Sequence, residues 1–532
     1  LSKPIKYIDY SSTHSFSNLA IDYIAKLPIF SEWQAYEPSL EGIEQAILER
    51  TNYSVDRSTL VKVLKNQYKA HEHDTIQQQI DALQNEDTYT VCTAHQPNLL
   101  TGPIYFLYKI AHAIALANHL NKKYPQKKFI PIYYMGSEDK DWDELAHFNF
   151  NKQTFSWDYP AIKGAFGRAE TKHLQDILKQ VLSLIGPSNE HTDQLKQILT
   201  KAYAEKATIS AATQSLVHAL FGQYGLIVFN PDDRQVKEKM IPLFKKELLE
   251  RKSFVLCQEQ SNKINAYYPT QANPRPINLF YLNEIGRNRI EWKNGQFTIV
   301  NTNLSFSEAE ILNELNDYPE RFSTNVITRG LLQETCLPNI AFIGGGAEIA
   351  YWLQLKPIFK EHQVFFPPLL LRQSYLLITT REEEKLLQLG LTETNIFETT
   401  EKLIQSKLKA IGIEEELLKE EWESMQLLLA QAQLKAQATD PTLKDTAAAT
   451  TKKIEKLVKQ LQQKMLRAEK RKLQTYKNQI EHLKAALFPN NQLQERYANF
   501  LDFYGNNPDL IKKIIDSVQP EKPMFNILQI NN

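Results

Sequence analysis

Residues 137–144 read Ser137-Glu138-Asp139-Lys140-Asp141-Trp142-Asp143-Glu144 and follow directly on an apolar run, FIPIYYM. Carboxylates at this density can bind an ammonium group, hold Mg²⁺ through oxygen ligands, or take a proton from an attacking amine. Glu138, Asp139 and Asp141 are the candidates for that work, with Ser137 beside them as a binding group. His147 stands four residues after Asp143, one turn away if the segment is helical, so Asp139, Asp143 and His147 form a conceivable metal set. The competing reading is a capped helix start whose acidic residues favour the helix dipole.

Three further clusters share this character. His95, Gln96, Asn98, Thr101 and Gly102 lie between an apolar run, Tyr89–Cys92, and a helical pattern running from Pro103 to about Leu120. A helix opened by Gly-Pro presents free N–H groups and the positive end of its dipole to an anion. Whether Lys109 reaches the same anion is open, and a polar loop with a surface lysine is the alternative. Gly344, Gly345 and Gly346, with Glu348 after them, let a phosphate approach backbone N–H groups. They equally suit tight helix–strand packing. Arg372 and Ser374 follow the run Val364–Leu371, where an arginine pairs with phosphate or carboxylate, or forms a structural ion pair.

What must position these clusters is a parallel sheet. Tyr89–Cys92, Pro103–Leu120 and Phe129–Met135 read as strand, helix, strand, and Gly225–Phe229, Asn339–Ile343 and Val364–Leu371 as further buried strands. Ligands of open parallel sheets gather at the carboxyl ends of strands, where all four clusters fall. Residues 255–305 carry short β-rich runs and suggest an inserted lobe. Residues 414–487 carry two heptad-like series. One contains Leu418, Trp422, Met425, Leu429, Ala432 and Ala436; the other contains Leu443, Ala447, Thr450, Ile454, Leu457 and Leu461. Thr439-Asp440-Pro441 separates them, which predicts an antiparallel coiled-coil hairpin with a second helix roughly 70 Å long. The expected divisions are a mainly helical region 1–88, core segments 89–254 and 325–390 around a connecting lobe 255–324, a helical and coiled-coil domain 391–487, and a tail 488–532 that returns to the core.

The 532 residues carry 62 Lys+Arg against 62 Asp+Glu, a balance that gives nucleic-acid binding no support from bulk charge. Cys92, Cys257 and Cys336 are far apart and form no CxxC pair, so neither a disulfide framework nor a zinc site is expected, and a reducing cytoplasm fits. No apolar run of about 18 residues is present, so no membrane span is expected.

TAHQPNLLTGPIYFLYK, YYMGSEDKDWDELAHF, LPNIAFIGGGAEIAYWLQLKPIF and FPPLLLRQS, in that order and followed by a coiled coil and LFPNNQLQER, resemble the bacillithiol biosynthesis cysteine-adding enzymes. The resemblance covers most of the chain. It departs at the first loop, where the family's commoner Gly-Gln-Gln is here Ala94-His95-Gln96. The resemblance implies an α/β fold: a Rossmann-like parallel-sheet core akin to nucleotidylyltransferases and synthetases, with connecting lobes and a C-terminal antiparallel coiled-coil hairpin that helps form a homodimer. It implies a ligase that joins cysteine to glucosaminyl malate through an amide bond. A carboxylate does not acylate an amine unaided, so ATP is the expected activator, with Mg²⁺ accompanying it. The competing classes are a non-catalytic nucleotide-binding scaffold with a coiled-coil arm, and an adenylyltransferase or ligase acting on another amine.

Overall fold

The structure is a computed structural model and describes residues 5–71, 74–158, 164–284, 286–411 and 417–531. Its centre is a five-stranded parallel sheet. The strands are β1 (Thr88–His95), β2 (Lys128–Met135), β3 (Ile227–Phe229), β4 (Asn339–Gly344) and β5 (Leu369–Leu371). Helix α1 (Tyr105–Lys123) connects β1 to β2, α2 (Arg234–Leu249) follows β3, α3 (Arg329–Cys336) precedes β4, and α4 (Gly346–Trp352) follows it. The spatial order is β5-β4-β1-β2-β3, every pair parallel. Every residue of β1 and of β4 is buried, as expected of strands covered on both faces, which read as continuous apolar runs rather than alternation. The chain moves outward from β1 to β3, then returns to set β4 on the other side of β1. The carboxyl ends of β1 and β4 therefore flank the point where strand order reverses, the usual place for a ligand crevice.

Two local expectations change. The strand runs on to His95, and a short 3-10 turn at Leu99–Thr101 precedes α1, which starts only at Tyr105. Gly102-Pro103 thus stands before the helix rather than opening it. The turn is held by the distant tail: Asn499 Nδ2 donates to Leu100 O and Gly102 O at 2.9 and 2.7 Å, and the Ile104 N–H donates to Ala498 O at 2.8 Å. Leu100, Thr101 and Gly102 all take positive φ (46°, 70° and 64°), the region that favours glycine. The second change concerns His147. The helix after the acidic run is only Trp142–Leu145, and His147 opens a hairpin, His147–Phe150 with Gln153–Ser156. The alternation His-Phe-Asn-Phe fits that strand, and it carries His147 into solvent, away from Asp139.

The connecting lobe is a five-stranded antiparallel sheet, with Leu279–Asn283 paired to Gly286–Lys293 on one side and Phe322–Thr324 on the other. Its first residues, expected to be β-rich, instead form the helix Lys252–Asn265. That helix buries Ser253, Cys257, Gln260, Ser261 and Ile264, a face too polar to register as hydrophobic periodicity. A three-stranded sheet joins the chain's ends: Phe525–Ile530 runs parallel to Ser374–Thr379 and antiparallel to Lys6–Ile8.

By its internal contacts the chain divides into two compact units. One holds residues 381–491 with Ser12–His14, and the other holds the remainder. In the smaller unit, helices Lys419–Thr439 and Leu443–Lys472 pack against each other, and a separate helix, Gln474–Leu487, follows. The middle helix has 30 residues and so spans about 45 Å rather than 70 Å, because the chain breaks at Leu473. The seam is also shifted. Trp422, Met425, Leu429, Gln433 and Ala436 are half-buried, as are Ala447, Thr451, Ile454 and Val458. Ala432, Thr450, Leu457 and Leu461 face outward. A polar rung, Gln433 Nε2 donating to Thr451 Oγ1 at 2.6 Å, occupies the place that apolar patterning assigns to neighbours. Residues 414–416 of the expected coiled coil lie outside the described residues. Among the described residues no helix is long and apolar enough to cross a membrane.

Candidate functional site

A cavity of about 450 Å³ opens at the carboxyl ends of β1, β2, β4 and β5. Its first wall is the end of β1 and the start of α1. Lys109 is buried, donates from Nζ to Ala94 O at 2.9 Å, and is ion-paired with Glu348. Burial pulls its pKa down, and the Glu348 carboxylate opposes that pull. Lys109 therefore does reach the site, just over one turn into α1. His95 is also buried, its ring lying against Tyr105 and Phe106 at 5.4 and 5.5 Å. Burial, with Lys109 and Arg372 nearby, pushes its pKa well below the usual imidazole value, so the ring is neutral. His95 Nδ1 lies 2.9 Å from Gln96 Oε1, and Gln96 Nε2 donates to Asp139 Oδ2 at 3.2 Å.

The second wall is the loop after β2. Asp139 accepts from the Lys140 N–H at 2.7 Å, and Arg287 Nη1 stands 3.5 Å from its Oδ1. Glu138 is buried against Lys237 at 2.6 Å, and Lys237, which is fully enclosed, also donates to Phe322 O. Burial raises the Glu138 pKa while Lys237 resists the rise. Ser137 Oγ donates to Asn230 Oδ1 at 2.6 Å, which ties this loop to the end of β3. Glu144 also lines the cavity, its pKa raised by burial and by Asp141 and Asp139. Asp141 does not line it. Its carboxylate caps the short helix at the Glu144 N–H.

The third wall belongs to β4, α4 and β5. Gly345 and Gly346 line the cavity, whereas Gly344 is the buried last residue of β4. The Gly345 N–H is already held by Glu348 Oε2 at 2.9 Å, so the α4 start is capped from within the chain. Arg372 forms a two-pronged pair with Glu495, Nη2–Oε1 at 2.7 Å and Nη1–Oε2 at 3.0 Å, and Ser374 Oγ bonds to both partners. The structural ion pair is thus the alternative that the geometry takes at Arg372.

The cluster at β1 divides. His95 and Gln96 line the cavity, while Asn98, Thr101 and Gly102 do not; Asn98 and Thr101 are buried within the turn beside it. Ser137, Glu138, Asp139, Gly345, Gly346, Glu348, Arg372 and Ser374 are all brought to the one cavity. Sequence reasoning missed three guanidinium groups there: Arg287, already described beside Asp139, and Arg329 and Arg496. Arg329, at the start of α3, donates to Gln333 Oε1 at 2.9 Å and Tyr351 OH at 2.7 Å and lies over the Tyr134 ring. Arg496 stands exposed at the rim. Neither has a carboxylate partner within ion-pair distance among the described residues. The signals were faint: an arginine just upstream of the glycine turn, and the Arg of the LQER sequence in the tail. Among the described residues no group of three or more His, Cys, Asp or Glu side chains is placed to hold a metal ion, and Asp139, Asp143 and His147 are not brought together.

A doubly wound Rossmann-like core with a charged pocket at its switch point, joined in one chain to a helical coiled-coil region, defines the class. Residues 4–373 match the family profile described as Bacillithiol biosynthesis BshC, N-terminal Rossmann-like domain, and residues 375–530 match its C-terminal coiled-coil domain. The chain belongs to the BshC family of bacillithiol biosynthesis. Among its relatives, proteins named "Putative cysteine ligase BshC" are 39% identical in Flavobacterium psychrophilum, over 99% of each chain, and 38% identical in Christiangramia forsetii, over 99% of each. A third of that name, from Flavobacterium johnsoniae, is 37% identical over 99% of this chain and 100% of its own.

Proposed function

We infer that this chain is a ligase that forms an amide bond between the carboxyl of cysteine and the amine of glucosaminyl malate, completing bacillithiol. One observation carries the reading beyond family membership. Two guanidinium groups without carboxylate partners, Arg329 and Arg496, share one cavity with four carboxylates, of which Glu138 and Glu348 are paired with lysines and Asp139 and Glu144 are not. That pocket suits a substrate carrying carboxylates at one end and an amine at the other.

The arginines bind the malate carboxylates by charge-assisted hydrogen bonds. Asp139, held by Gln96, the Lys140 N–H and Arg287, receives the ammonium of the glucosamine ring. Cysteine's carboxylate oxygen attacks a phosphorus of ATP and displaces pyrophosphate or ADP. The ammonium first releases one proton to solvent, and the free amine nitrogen then attacks the activated carbonyl carbon. The C–O bond breaks with its electron pair leaving on AMP or phosphate, and the proton lost by nitrogen passes to Asp139. Mg²⁺ enters with the nucleotide phosphates.

The test is direct. Purified protein given cysteine, glucosaminyl malate and Mg-ATP yields bacillithiol by mass spectrometry, and Asp139→Asn collapses turnover with little change in nucleotide affinity. No product under any nucleotide condition overturns the reading, and product without ATP overturns the activation step alone.

A further inference from the structure

His95 draws attention as a proton acceptor, yet its geometry gives it another task. Gln96 Nε2 lies 3.2 Å from Asp139 Oδ2, and a carboxylate only accepts, so the amide nitrogen must face Asp139. The amide oxygen then faces His95 Nδ1 at 2.9 Å, which must carry the proton. The lone pair is left on Nε2, which is buried and has no hydrogen-bond partner among the described residues. The flanking Tyr105 and Phe106 rings hold the imidazole in the wall. An enclosed Nε2 on a neutral ring is badly placed to meet a substrate proton. What the ring does reach is Gln96.

We propose that His95 is a positioning residue: its Nδ1–H locks the Gln96 amide in the one orientation that donates to Asp139, and so holds that carboxylate for the incoming amine. Without the imidazole donor the amide can flip by half a turn, which sets its oxygen against the carboxylate oxygen. The ammonium would then meet a carboxylate turned away from it. The inference rests on the reading of Asp139 as the amine-receiving group.

His95→Phe keeps the ring packing and removes the donor, and His95→Asn keeps a donor near the Nδ1 position. Gln96→Leu removes the relay. The experiment measures kcat and KM for glucosaminyl malate in these three variants and in the His95→Phe/Gln96→Leu double variant, with thermal midpoints as the folding control. The expected result is a fall in kcat of about tenfold to a hundredfold for His95→Phe and for Gln96→Leu, the size that small misplacements of a reacting group produce, with KM little changed. The double variant should be no worse than either single one, because both break the same relay, and His95→Asn should recover most of the loss. Multiplying losses in the double variant, or an unchanged kcat in His95→Phe, would overturn the proposal. If the wild-type protein makes no product, the ligase reading fails, and nitrogen NMR of the ligand-free protein still judges the lock. Wild-type His95 protonated at Nδ1, with that preference lost in Gln96→Leu, supports the lock; protonation at Nε2 in the wild type refutes it.

Discussion

Arg372 and Glu495, separated by 123 positions in sequence, meet as a two-pronged ion pair with side chains only 6% and 0% exposed. The pair joins the end of the central sheet to the chain's tail. Removing one partner of a buried pair leaves the other charge uncompensated, which costs about 3–5 kcal/mol. Glu495→Gln should therefore lower the unfolding free energy by roughly that amount in denaturant titrations. A loss below about 1 kcal/mol would show that the pair contributes little beyond what solvent could replace.

Glu334 supplies a pH dependence away from the cavity. Burial pushes its carboxyl up to about 7, opposed by hydrogen bonds from Asn339 and Gln333 and by Arg50. A carboxyl whose folded value exceeds its unfolded value of about 4.3 binds its proton more tightly when folded. Its contribution is then fully present below about 4.3 and is lost as pH rises through 7. Glu334→Gln should remove that loss. The variant's stability relative to wild type should rise between pH 5 and pH 8, by an amount on the order of 2–3 kcal/mol. Unfolding curves at four pH values check this, and a constant difference across the range would refute it.

Arg496 is exposed and has no carboxylate partner within ion-pair distance among the described residues, so its removal should spare stability, within about 0.5 kcal/mol. If it binds a substrate carboxylate, Arg496→Ala forfeits a charge-assisted hydrogen bond, about 1.5–3 kcal/mol. KM for glucosaminyl malate should rise by about tenfold to a hundredfold, with a smaller change in KM for ATP. Equal changes in both would place Arg496 on the nucleotide instead.

The coiled-coil unit carries Leu457 and Leu461 at 63% and 52% exposure on the outer face of its middle helix. Apolar side chains in such a row suit burial between two copies of the chain. We propose that the protein is a homodimer through this unit. Light scattering should give twice the chain mass for the 532-residue chain, and Leu457→Glu with Leu461→Glu should give the single chain mass. A double variant that stays dimeric would move the interface elsewhere.

The central sheet was legible because its strands are buried on both faces and so appear as unbroken apolar runs: FIPIYYM before the acidic loop, IAFIG before the glycine turn. The loops that follow them could be placed at one sheet edge on that basis alone. Partnerships across long sequence distances could not. Nothing near Glu138 points to Lys237, and nothing near Arg372 points to Glu495. The conformation of the turn at Leu100–Gly102 was not legible because Asn499, which holds it, lies almost 400 positions away. The coiled-coil seam was misread by one position in places because Leu457 and Leu461 outweigh Gln433 and Thr451 in any apolar pattern, while packing selected the polar rung. His95 was visible from the start, but its orientation was not, since that depends on which way the Gln96 amide faces.

The most direct measurement uses cysteine labelled with ¹⁸O in both carboxylate oxygens, incubated with the purified protein, glucosaminyl malate and Mg-ATP. Activation at the carboxylate followed by attack of the amine predicts an amide product that keeps one ¹⁸O while the other appears in AMP or in phosphate. No amide product with any nucleotide would contradict the account.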